Sequence, residues 1–113
     1  MIINGIEIGD LDIFDANVAE KYEKTLEKVT ESQKELEGLK TSVIIRKQCE
    51  TVFFVFDELF GEGTSKKLFG DSMNLITCLN AFESLVEEIK NKNNEIEKIS
   101  SKYSQNRVQR RKK

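Results

Sequence analysis

Apolar residues recur at steps of four and three along two long stretches of this chain. Ile45, Cys49, Val52, Phe56 and Leu59 form one series. Leu75, Leu79, Phe82, Val86 and Ile89 form the other, which resumes at Ile96, Ile99 and Tyr103. Such steps stack side chains on one face of an α-helix, whereas a half-buried strand needs strict alternation. No proline breaks either series or any other part of the 113 residues. The expected fold is therefore mainly α: three long helices, a short inter-helix turn, a short N-terminal β-hairpin and a disordered basic C-terminal tail. An all-β sandwich needs many more turns and β-branched strands. A disordered chain is excluded by seven Phe and many Ile, Leu and Val that must be buried.

The hairpin is expected at the start, in residues 1–10. Ile2-Ile3 and Ile6-Glu7-Ile8 flank Asn4-Gly5, the favoured pair for a type I′ turn. Strands this short need helices or another chain to pack on. Asp15 or Asn17 is expected to cap a first helix running to about Leu36, stopped at Gly38. Its apolar stripe, Val18, Tyr22, Leu26, Val29, Leu36 and Leu39, is narrow and surrounded by Glu and Lys, as on a coiled-coil helix. The second helix, capped by Thr41 or Ser42 and ending near Phe60, is apolar nearly all round and should be central. Gly61 and Gly63 then make a corner, and Thr64 or Ser65 starts one short turn that Gly70 ends. Asp71 or Ser72 is expected to cap the last helix. This should pack on the domain to about Ile89 and become thinner beyond, with Asn91, Asn93 and Asn94 as weak helix formers where it would break. Residues 1–103 read as one helical domain and 104–113 as a flexible basic tail.

The chemistry available is narrow. With no His, the chain has neither His-based nucleophilic catalysis nor a His metal ligand. Cys49 and Cys78 cannot make a four-ligand zinc site and read as core residues. The Gly61-Glu62-Gly63 segment lacks the pattern of a phosphate loop and reads as a turn. Asp57-Glu58 and Glu87-Glu88 read as solvated faces, because neighbours on a helix point about 100° apart. No catalytic, cofactor or metal residue is assigned, and the expectation is a non-enzyme.

Charge is distributed unevenly. Residues 1–97 hold eleven Lys/Arg and all twenty Asp/Glu, a net of −9, while residues 98–113 hold seven Lys/Arg and no acid, a net of +7. A basic end on an acidic body marks an interaction tail. The longest apolar run, Val52 to Phe56, is far short of the roughly 20 residues a spanning helix needs. Met1 to Gly9 lacks the basic and apolar regions of an export signal. A cytoplasmic protein is expected.

Three segments, Phe56-Asp57-Glu58-Leu59-Phe60-Gly61-Glu62-Gly63-Thr64, Lys67-Leu68-Phe69-Gly70 and Cys78-Leu79-Asn80-Ala81-Phe82, resemble small proteins encoded in tail-gene regions of phages and prophages of Gram-positive bacteria. The opening Ile-Asn-Gly and the ending Asn106-Arg107-Val108-Gln109-Arg110-Arg111 are similar to that group as well. The resemblance implies a tail assembly chaperone: a small acidic helical protein that coats the tape-measure protein and recruits tail-tube subunits. It transfers no site residue by position. Two other readings stay open: a nucleic-acid-associated phage protein acting through its basic tail, and a structural component of the virion. On residue pattern alone, the candidate partner-binding positions are Val18, Tyr22, Leu26 and Val29 on the first helix, and Ile96, Ile99 and Tyr103 on the last. Arg107, Arg110 and Arg111 join them in the tail. A homo-oligomer is expected, with no membrane partner.

Overall fold

A computed structural model describes the backbone of residues 1–111 and the side chains of residues 1–102. The chain opens with the expected hairpin. β1 (Ile2–Ile3) pairs antiparallel with β2 (Ile6–Glu7), Ile2 opposite Glu7 and Ile3 opposite Ile6. Asn4 and Gly5 take φ of 51° and 79°, the double left-handed geometry of a type I′ turn. The hairpin is anchored by Ile3, fully buried where β1 packs on the last helix.

Three long helices and a short one follow: α1 (Ala16–Gln33), α2 (Thr41–Phe60), α3 (Thr64–Phe69) and α4 (Leu75–Arg111). Asp15 caps α1, its carboxylate accepting from the backbone N–H of Asn17 at 2.8 Å and of Val18 at 3.4 Å. A 3-10 turn over Lys34–Leu36 tightens the end of α1, and Gly38 (φ 79°) turns the chain out of it. Two expected caps are corrected. Lys40 precedes α2 with no side-chain cap, so neither Thr41 nor Ser42 serves there. At α4 the cap is Asn74, whose Oδ1 accepts from the Thr77 N–H at 3.1 Å, in place of Asp71 or Ser72.

The centre of the molecule is α2, against which α1, α3 and α4 all pack. Cys49, Val52, Val55, Phe56 and Leu59 of α2 are buried. Phe69 of α3 closes the end of this core, its ring 5.1 Å from Phe53 and 6.0 Å edge-on from Phe56. Leu11 and Ile13, in the irregular segment before α1, are also buried. Nothing periodic marks them in the sequence.

On α4 the buried face is rotated from the expected one. Cys78, Ala81, Leu85 and Ile89 are buried, Phe82 and Val86 flank them, and Leu79 is exposed. The helix also runs unbroken through Asn91, Asn93 and Asn94, where a break was expected. The flexible tail expected over residues 104–113 falls outside the described side chains. Among the described residues no helix is long and apolar enough to cross a membrane.

Candidate functional site

Where α1, α2 and α4 meet, their side chains leave a groove of about 270 Å³. Val52 and Val55 of α2, both buried, form its floor. Val29 of α1 and Leu79 and Phe82 of α4 form its walls, and Gln33, Gln48 and Thr51 its polar rim. No charged side chain lines it. The groove exists because α1 and α4 each pack on α2 more than on each other, so the two outer helices splay over one face of the central one. Val29 faces it from one side and the exposed Leu79, rotated out of the core, from the other. Such a surface can bury apolar side chains at roughly 25 cal/mol per Å². Its polar groups are two amides and one hydroxyl.

The expected partner-binding positions divide. Tyr22 is buried, and burial raises its phenol above the usual range. Val18 and Leu26 are half-buried against the same core. Tyr22 is therefore taken up inside the molecule, while Val18 and Leu26 keep part of their surface exposed. Thr25, which the apolar stripe passes over, is buried on the same face, its hydroxyl donating to the Lys21 carbonyl at 2.8 Å. Val29 alone of the four reaches the groove. On α4, Ile96 is half-buried and Ile99 is 53% exposed. The side chains of Tyr103, Arg107, Arg110 and Arg111 lie outside the described residues.

Other polar features have structural partners. Asp57, read as a solvated acid, reaches across the corner to α3. Its two carboxylate oxygens accept from the Ser65 N–H and the Ser65 hydroxyl, each at 2.8 Å. It caps a helix whose own first flank is Gly63, which has no side chain to do so. Cys78 of α4 lies beside Cys49 of α2, and burial, with that neighbour, pushes its thiol up to about 12. Both cysteines are free and buried, in keeping with a core role. Among the described residues no group of three or more His, Cys, Asp and Glu is placed to hold a metal ion.

Comparison with curated proteins and with solved structures gives no match. A family model described as "Family of unknown function (DUF6673)" matches residues 4–113, and the chain belongs to that family.

Proposed function

We propose that the chain is a non-enzymatic binding protein that shelters an apolar helical segment of a client in the groove between α1, α2 and α4. The observation that carries this reading is the groove itself, uncharged, open, floored by valines and rimmed by Gln33, Gln48 and Thr51. An amphipathic helix docks in such a groove through apolar anchors one turn apart, with rim amides satisfying its polar edge. The client class follows from the resemblance to phage tail-region proteins. We read the chain as a tail assembly chaperone that works in the cytoplasm of the bacterial host, on a tape-measure protein and tail-tube subunits. The acidic body supports it, keeping a carrier of apolar cargo soluble.

Co-expression with a tape-measure fragment tests this. The fragment should become more soluble and co-purify with the chain. Leu79→Glu, at a wall position that is 41% exposed, should weaken the complex at least tenfold while leaving the fold intact, because a docked helix would bury the new carboxylate unpaired. A client whose solubility ignores the chain, or equal binding by Leu79→Glu, refutes the reading. The seven basic residues of 98–113 support a second reading, nucleic-acid binding. That reading requires an affinity for DNA that falls steeply with salt and disappears when Lys102–Lys113 are removed. Presence of the chain in purified mature particles would instead favour a virion component.

A further inference from the structure

Beyond Lys92, α4 continues an apolar face through Ile96 with no other described residue of the core against it. Each helical residue turns by about 100°, so Ile96 falls directly in line with Cys78, and Leu85 and Ile89 lie within about 20° of that line. Cys78, Leu85 and Ile89 are covered by the body of the protein. The body ends near Lys92, whose Nζ donates to the Leu11 carbonyl at 3.3 Å. From Asn93 to Lys102 every side chain is exposed except Ile96, which is half-buried and outside the core cluster. The helix nevertheless continues to Arg111. A projecting helix of about 19 residues is marginal in water by itself, the more so with Asn93 and Asn94 in it.

We infer that a second copy of this chain covers this face, the two α4 extensions packed antiparallel. Charge selects both the partner and the direction. Residues 98–113 carry +7, while residues 1–97 carry −9. Antiparallel overlap of residues 93–111, roughly 28 Å of helix, brings each basic end to the acidic body of the other copy. A parallel pair would set the two +7 ends side by side, and juxtaposed like charges disfavour an interface. Ile96 and Ile99 of each copy lie within that overlap, between chains of opposite local charge, as in an antiparallel coiled coil. The contact is isologous and closes on itself as a two-fold dimer. It lies apart from the α1–α2–α4 groove and does not rest on the function proposed for that groove.

Sedimentation of the full chain over a range of concentrations and salt tests the inference. A monomer–dimer equilibrium is expected, weakening at least tenfold as salt rises and the charges are screened. Ile96→Asp combined with Ile99→Asp, both off the body, should give a monomer with an unchanged urea midpoint. A spin label on Asn94→Cys reports direction, Cys49 and Cys78 being buried. Labels about 25 Å apart indicate antiparallel packing and about 10 Å parallel packing, from the helical rise and the usual interaxial spacing. A monomer at every concentration, a dimer indifferent to the double substitution, or the short label distance overturns the inference. A chain that stays monomeric alone and changes size only with a short DNA duplex or a client segment also overturns it, by assigning the face to that partner.

Discussion

Replacing Asp57 with Ala should loosen α3 and unseat the aromatic end of the core. Asp57 stands at the end of α2, yet both carboxylate oxygens hold Ser65 at the start of α3. The helix they cap has only six residues, begins at a glycine and carries Leu68 and Phe69 into the core. Loss of a side-chain cap costs about 0.5–2 kcal/mol, and a hydrogen bond to a charged group contributes about 1.5–3 kcal/mol net. The site is half-exposed, so the two effects overlap and we expect about 2 kcal/mol for Asp57→Ala. For a domain near this size that is roughly a 10 °C fall in Tm. Asp57→Asn keeps an acceptor for the Ser65 N–H and a donor for its hydroxyl oxygen, and should cost about 0.5 kcal/mol. Ser65→Ala removes one of the two bonds and should fall between. Urea unfolding followed by far-UV circular dichroism, with Glu58→Ala as the exposed neighbouring control, supplies the comparison. A double-mutant cycle between positions 57 and 65 should show coupling, since the two share the bonds. The role of Asp57 as the cap of α3 fails if Asp57→Ala lies within about 0.5 kcal/mol of the parent, the range of an ordinary surface change. It fails equally if Asn is as damaging as Ala.

Phe56→Ala should cost about 3–5 kcal/mol, because the ring is fully buried between Phe60 and Phe69. Phe54→Ala, on the exposed side under Lys28, should cost about 1 kcal/mol or less, and equal losses in urea melts would contradict the assigned faces. The Cys78 thiol, raised to about 12 mainly by burial, should react with Ellman's reagent only as fast as the protein opens. Because folding raises this group, its contribution is complete below the unfolded thiol's value of about 8.5 and is lost as pH rises toward 12. Stability should therefore decline on the alkaline side, and less so in Cys78→Ala; native thiols that react at the denatured rate would contradict this. The amino group of Met1 donates to Asp10 Oδ1, Glu7 Oε1 and the Gly9 carbonyl, each at 2.9 Å. Its bond to Asp10 first, then that to Glu7, raises the ammonium, and the ammonium lowers both carboxylates. The carboxylates contribute above their unfolded values near pH 4 and lose that contribution as pH falls. The ammonium contributes below about pH 8 and loses its contribution as pH rises through its raised value. Amide-exchange protection in the hairpin should form a plateau between these limits, and Glu7→Gln with Asp10→Asn should abolish the acid limb.

Local signals in the chain were most legible where one residue type decides the backbone. Asn4-Gly5 marked the hairpin turn, Asp15 was one of two proposed caps for α1, and Gly61 and Gly63 marked the corner. Caps were less legible where several polar residues crowd a helix start. Asp71, Ser72 and Asn74 are all competent by type, and Asn74 holds the position because α4 begins only at Leu75. The groove was legible only in part. Val29 was named for its place on a stripe, while Val52, Val55, Leu79 and Phe82 read simply as core.

The period of the apolar residues determined that this chain makes long helices, that α2 is the central one and that α4 carries an apolar face past the domain. Its charge order determined that the body is acidic and the end basic. Tertiary packing decided which face of each helix turns inward. On α4 the apolar arc from Ile76 through Leu85 is wide enough to be buried at several rotations. The helix settles on Cys78 and Ala81 because small side chains let it approach α2 closely, beside Cys49. That choice turns Leu79 outward and leaves a groove, and it places Ile96 in line with a core that has already ended. A one-dimensional pattern specifies an angle around a helix only to within the width of its stripe. The close contact between helices selects the rest.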